Sequence, residues 1–489
     1  MRIASAFIAF VFWSTVCLLF SIFILSSFWP GIVAIPCGLI LLVIAVRSSK
    51  LLYGLWLVGT PTLFIYANNM LSGIPFLRVE RVFLPLFFIG MLAGASGRRN
   101  TVKPILPIEK AMLALLVVAS ISVVVTSFGK STEILRQNVW LWLECLFMPY
   151  FAFYLARRQN WSARDTNLLC RWLLVAGLYL AVVGALQLFF GMQFFYPRYL
   201  QRLAEADSAN GLIENRASGV FESPNEYGLV MAMLLFLVLF LFARCNDGLG
   251  RTVYLGAMVP LLIGLAICKT RAPWFGAIAG LLVIYAGDHR VRSLLLTGAI
   301  AGVVGILVAL PYLIDSGLLQ FRILDFEPLY ARLAAYTTAL NMIAHHPLTG
   351  LGFGPNTFTM AKPEYATTFG LIFSQFQASV PHNEFLHMLV LVGLSGFVPF
   401  VLLLYWAFRL TSAPTLRAAG APAWQSEFAI YGRAALVGYV CTAMVVDILL
   451  FHYFLTLMYF IVGISASFFE PGYLSASQTQ HAQPRALPV

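Results

Sequence analysis

Charge is what this sequence has least of. Asp, Glu, Lys and Arg make up 10% of its 489 residues, against about a quarter in an ordinary soluble domain. Apolar residues reach 60%, and the mean hydropathy is +0.85. That balance excludes a cytosolic enzyme, a disordered chain and a fibrous protein. Paired cysteine motifs are missing as well: the seven cysteines lie in or beside apolar stretches, with no C-x-x-C pair and no histidine cluster. Neither a zinc site nor a disulfide framework is expected, and cysteine here reads as a small apolar packer. No internal repeat is visible, which counts against transporters built from repeated halves. The first apolar run ends Ser26-Ser27-Phe28-Trp29-Pro30 without a small-residue cleavage site, so it reads as a retained span.

Long hydrophobic runs fill the chain instead. A spanning helix takes ~20 residues, and apolar runs between charged punctuation occur at 5–28, 31–46, 51–71, 80–96, 108–128, 139–156, 172–190, 226–243, 252–268, 272–286, 293–312, 383–408, 430–449 and 452–469. The expected fold is therefore all-α, a polytopic transmembrane helix bundle of about 12–14 spans. The bundle is expected over 1–470, with a partly helical external loop at 313–381 and a disordered cytoplasmic tail at 471–489. No room remains for a large soluble catalytic domain. Chemistry must use helix ends and loops.

Basic residues set the orientation. With the N-terminus cytoplasmic, 19 of the 31 Lys and Arg fall on the inner side together with six acids, a net of +13 there. This is the positive-inside pattern, so the overall charge of +11 is an orientation signal and implies no nucleic-acid partner. Two external connections are long, 191–225 and 313–381, and long ordered loops are where function concentrates.

Seven stretches on that outer side stand out. Pro381-His382-Asn383-Glu384 opens the span after the longer loop, with Gly393 and Gly396 further on. At ~100° per residue, a helix running through His382 would put all three on one face. Small residues let another backbone approach, and a helix N-terminus disfavours imidazolium. A neutral imidazole there can accept a proton; the bland reading is an interfacial histidine capping its helix.

Arg271 stands in Lys269-Thr270-Arg271-Ala272-Pro273-Trp274, where one span ends and the next begins, followed by Gly276 and Gly280. Arg216 lies in Glu214-Asn215-Arg216-Ala217-Ser218-Gly219, just before a span. Arginine matches phosphate oxygens with two donors at once; the alternative is snorkelling to lipid headgroups. Ser223-Pro224-Asn225-Glu226 reads first as a capping box. Asp447 sits in an apolar run with His452 close by, a functional candidate within a span or a structural pair. Gly350-Leu351-Gly352-Phe353-Gly354 has no preceding strand and no P-loop lysine, and reads as a tight turn. Asp325-Phe326-Glu327 is a lone D-x-E.

His382-Asn383, nine residues, Gly393, two residues and Gly396 resembles the H-[NSQ]-x9-G-x-x-[GTY] pattern of the bacterial O-antigen ligase and polymerase superfamily. The stretch from Arg332 through Tyr336, Met342, His346-Pro347, Gly350 and Gly352-Phe353-Gly354 is similar to that family's long periplasmic loop. Gly219-Val220-Phe221 with Pro224-Asn225 adds to the likeness, which covers about 210–400.

The resemblance implies a membrane glycosyltransferase of the bacterial inner membrane with its active site facing the periplasm. It would move a glycan from undecaprenyl pyrophosphate to an acceptor hydroxyl, on lipid A–core for a ligase or on another repeat unit for a polymerase. No metal and no cofactor are implied. His382 would be the base, Arg216 and Arg271 would meet the pyrophosphate, and Asn383, Arg332 and Asp447 are further substrate-binding candidates. The alternative from another class is a non-catalytic glycolipid transporter or flippase, which predicts ionisable residues strung along a central pathway.

Overall fold

The computed structural model describes residues 48–64, positions within 40–44 and 81–89, and residues 103–190, 216–315, 327–366 and 380–469. The run 5–28, residues 191–215, Asp325 and the tail 471–489 lie outside them. The fold is all-α, and among the described residues there is no strand. The chain divides into two compact units, 1–102 and 103–489.

In the smaller unit, α1 (Ser49–Gly59) starts on the Ser48 hydroxyl and runs into a π turn at Thr60–Phe64. Its Tyr53 and Trp56 pack on Phe87, with ring centroids 5.3 and 5.1 Å apart.

The larger unit runs α2 (Pro107–Ser127), α3 (Thr132–Arg158, with a π turn at Trp142–Phe147), α4 (Ala163–Phe190), α5 (Pro224–Arg244), α6 (Gly248–Ile267) and α7 (Arg271–Gly287). It continues with α8 (Arg292–Asp315), α9 (Glu327–His345), α10 (Thr357–Tyr365), α11 (Glu384–Leu410), α12 (Ala413–Ala418), α13 (Ala423–Ala443) and α14 (His452–Ser467). Among the described residues α2 to α6 and α11 are long and apolar enough to cross a membrane, and α7 and α14 are shorter apolar helices. At 1.5 Å per residue, ~20 residues match a hydrocarbon layer of ~30 Å. Leu113, Val117, Ile121, Val124 and Val125 of α2 are exposed, a stripe that suits lipid rather than water.

α5 is the core helix. It is apolar on every side and almost wholly buried, as such a helix must be, and α4, α6, α7, α13 and α14 pack around it. α7 lies against α13 through its small residues. A methyl group on Gly276 would sit 2.7 Å from the Gly438 carbonyl oxygen, and one on Gly280 would sit 2.9 Å from that of Ala434. The Gly276–Gly280 stripe is thus a close helix contact.

At one end of this unit, charges that the Lys/Arg count assigns to the inner side meet each other. Arg157 pairs with Glu109 at 2.6 Å, Arg244 with Glu427 at 2.5 Å, and Arg290 with both Glu427 (2.9 Å) and Asp288 (2.8 Å). These pairs explain a shift in one expected span. The run read as 430–449 is a helix that starts seven residues earlier, at Ala423, and stops at Ala443. The charged Glu427 that broke the apolar run is inside the helix, neutralised by two arginines. Asp447 consequently lies in the turn between α13 and α14, and not within a span.

Candidate active site

The opposite end of the unit gathers the sequence candidates around the C-terminus of α13. Asn383 is the N-cap of α11, its Oδ1 accepting from the Leu386 N–H at 3.1 Å. Its Nδ2 donates to the Met444 carbonyl just past α13, at 3.0 Å. On the other side of α13, Thr442 Oγ1 donates to the Ala272 carbonyl at 3.2 Å, one residue after Arg271. The starts of α7 and α11, bearing Arg271 and His382, are therefore tied to the same three-residue stretch, Thr442 to Met444.

His382 is not on the helix. It precedes the cap with φ of +52°, a left-handed backbone uncommon for a side chain of this size. The expected single face with Gly393 and Gly396 does not form, for a second reason also. Gly393 has φ +57° and ψ −162°, so α11 breaks there. Into the break fits the Gly-rich loop. Leu351 and Gly352 N–H donate to the Val390 and Leu391 carbonyls at 2.7 and 3.0 Å, while Leu394 and Ser395 N–H donate to Pro347 and Leu348 at 2.8 and 3.1 Å. Backbone groups freed by the kink are thus satisfied by the loop, as a broken helix in a membrane protein requires. The tight-turn reading of Gly350–Gly354 was incomplete: the glycines permit a backbone-to-backbone dock. A methyl on Gly393 would come within 2.4 Å of the Leu348 carbonyl carbon, and one on Gly350 within 2.6 Å of the Val390 carbonyl oxygen.

The His382 side chain is half-buried and near two charged candidates. Tyr336 Oη donates to the His382 carbonyl at 3.4 Å, one helical turn along α9 from Arg332. Burial, and then the Arg332 guanidinium, hold the imidazole below its ordinary value, with Asp447 opposing them. At neutral pH the ring is neutral. His382, Asn383, Arg332 and Asp447 are brought together.

Arg216 sits beside the α6–α7 turn. Ala217 N–H donates to the Ile267 carbonyl at 3.1 Å, while the Ser218 and Gly219 N–H groups donate to Gln187 Oε1 at 3.0 and 2.8 Å. Gly219 is left-handed, and a methyl there would strike the Tyr227 ring. Burial raises the Cys268 thiol in that turn, and the Arg216 charge is near enough to act against it. Three residues on, Arg271 is exposed as the first residue of α7. The two arginines share this corner.

Beneath the surface lies a buried polar layer whose partnerships, and whose member His387, the sequence reading did not find. His387 is fully buried, with Nδ1 2.5 Å from Asp447 Oδ2, although the ring N–H points off the line to that oxygen. Asp447 Oδ1 also accepts from the Leu449 N–H at 3.3 Å. The structural alternative, an Asp447–His452 pair, gives way to this one, because α14 starts only at His452 while Asp447 turns back toward α11. Glu384 is buried and accepts from Tyr439 Oη at 2.6 Å. Glu226 does not close a capping box on Ser223; the serine caps α5 alone. Its Oε1 instead crosses to α14, accepting from the Tyr453 and Phe454 N–H groups at 3.1 and 3.3 Å. Among the described residues, no three of His, Cys, Asp and Glu stand together as a metal site would need.

Residues 256–401 match the O-antigen ligase family. The match supports the O-antigen ligase and polymerase superfamily for that segment. It runs from α6 through the break in α11 and takes in Arg271, Arg332, His382, Gly393 and Gly396. Arg216 and Asp447 fall outside it. The match is consistent with a multi-pass membrane glycosyltransferase acting on lipid-linked glycan. No curated protein matches the chain.

Proposed function

We propose that the protein transfers a glycan from undecaprenyl pyrophosphate to an acceptor hydroxyl at the periplasmic face of the inner membrane, in the manner of an O-antigen ligase. The observation that carries this reading is the attachment of Arg271 and His382 to one post, the C-terminus of α13, with the imidazole neutral. The acceptor oxygen attacks the anomeric carbon as the bond from that carbon to the pyrophosphate oxygen breaks. His382 takes the acceptor proton, and undecaprenyl pyrophosphate leaves with the bonding electron pair. Arg216 and Arg271 meet the charge that develops on the departing oxygen, a task for preorganised donors. This scheme calls on no metal. Arg332 keeps the base deprotonated and is placed to receive a polar group of the substrate, and Asn383 and Asp447 fix the ground on which His382 stands.

The test is transfer by the purified full chain, supplied with undecaprenyl-pyrophosphate-linked glycan and lipid A–core. Glycan on the core supports the ligase reading. Glycan extended on its own lipid carrier would make the protein a polymerase, and donor carried across vesicles without transfer would make it a transporter.

A further inference from the structure

A cavity of about 210 Å³ lies between the start of α3 and α10, and His382 does not line it. Its wall shares Leu351 and Ala361 with the apolar cluster of Ala335, Ala339, Met342, Phe358 and Val390. That cluster seats α9 and α10 on α11, and His382 is not among the residues that line the cavity. None of the residues assigned to the transfer reaction lines it.

The lining has a particular chemistry. Asn138, Gln137, Asn356 and Thr357 offer amides and a hydroxyl, groups that both donate and accept, as sugar hydroxyls do. Ile134 and Met360 supply apolar surface for the C–H face of a ring. Lys130 and Glu364 contribute one charge of each sign, so the site has no net charge to attract a pyrophosphate. Its volume is below the ~300–1,000 Å³ of pockets that enclose a drug-sized ligand, which suits one ring and not a chain.

The polar groups are held before any ligand arrives. Asn356 Nδ2 donates to Gln137 Oε1 at 2.8 Å, bridging the loop to α3. Asn138 is buried and its Nδ2 donates to Ser127 Oγ at 3.1 Å. Phe353 N–H donates to Ser122 Oγ at 2.8 Å, pinning the same loop to α2. Groups fixed in this way lose little freedom on binding.

We propose that this cavity is a subsite for a single uncharged sugar ring of the glycan, other than the one whose bond is being made. The inference rests on the glycan-transfer reading and adds to it a second point of contact. A chain held at both places would be gripped at its reacting end and again along its length.

The probe is the free oligosaccharide released by mild acid from the host's own lipid-linked glycan, carrying neither lipid nor pyrophosphate. Its binding to the purified full chain in detergent is followed by saturation-transfer NMR titration. Asn356→Ala is expected to weaken binding about fivefold, the loss of roughly one hydrogen bond. Met360→Trp, at an exposed position on α10, fills the cavity and should abolish binding without disturbing the core. His382→Ala should bind as the parent does. No binding by the parent, or binding unchanged in Met360→Trp, overturns the subsite. Transfer by the parent preparation is measured alongside; its absence with binding intact counts against the enzyme reading and leaves the subsite standing.

Discussion

His387 Nδ1 and Asp447 Oδ2 stand 2.5 Å apart with both side chains buried, joining α11 to the turn before α14. His387 is five residues from His382, about 140° around a regular helix, and on that arithmetic alone its loss would be expected to matter little. The buried contact gives a different expectation. Removing the imidazole leaves a space beside the buried Asp447 carboxyl and strips it of a polar neighbour, at a cost of about 1–3 kcal/mol. His387→Ala should lower the thermal midpoint and the yield of folded protein sharply, while the folded fraction keeps its rate per molecule. Thermal unfolding and transfer assayed on the same sample separate the two.

If His382 is the base proposed above, its surroundings should show in the pH profile. A general base works deprotonated, so the rate rises with pH through its pKa. Burial chiefly holds that pKa down, Arg332 adds to it, and Asp447 opposes both. Arg332→Gln should therefore move the acid limb of kcat/KM to higher pH. Asp447→Asn should move it to lower pH. Shifts in the same direction in both variants would contradict the assignment.

The break in α11 is expected to be intolerant of a side chain. Gly393→Ala places a methyl within 2.4 Å of the Leu348 carbonyl carbon at a left-handed position, and should undock the Gly350–Gly354 loop. At Gly396 a methyl would meet Val392 Cγ2 and Cβ at 2.3 and 2.6 Å, a clash within α11 and not with the docked loop. Limited proteolysis should cut the loop of Gly393→Ala and spare that of Gly396→Ala.

The sequence made some of this legible and hid the rest. Periodicity found Gly276 and Gly280 because both lie on one face of an unbroken helix. The same arithmetic failed between His382 and Gly393, since a left-handed residue and a kinked glycine each interrupt the 3.6-residue repeat. The signal was present in another form: glycines at 350, 352 and 393 allow two backbones to meet, which a wheel does not test. Asp447 was found as an unusual acid, but its partner was not, because the choice between His387 and His452 depends on where α13 ends. Glu226 was read as a local cap because its spacing from Ser223 is that of a capping box, whereas its carboxylate serves a helix more than two hundred residues away.

Glu226 gives a separate test of what a buried acid does here. It accepts two backbone N–H groups at the start of α14. Glu226→Gln keeps an acceptor and should retain most stability and transfer. Glu226→Ala orphans both donors, at about 1–3 kcal/mol each, and should unfold at a clearly lower temperature. Equal stability of the two variants would remove Glu226 from the structural role.

At the leaving-group corner, Arg271→Lys keeps the charge and loses the two-donor fork. Transfer should fall already with lysine, mainly in kcat, with thermal stability unchanged because Arg271 is exposed. Parent-like transfer by Arg271→Ala would take this residue out of the site.

The base itself is tested most directly by the rate of purified His382→Ala in the transfer assay with saturating donor and acceptor. A positioned general base contributes about 10²–10⁴-fold, so the variant should lose at least two orders of magnitude in kcat while still binding donor through Arg216 and Arg271. A His382→Ala protein that transfers glycan at the parent rate would leave the reaction without its proton acceptor and contradict the mechanism.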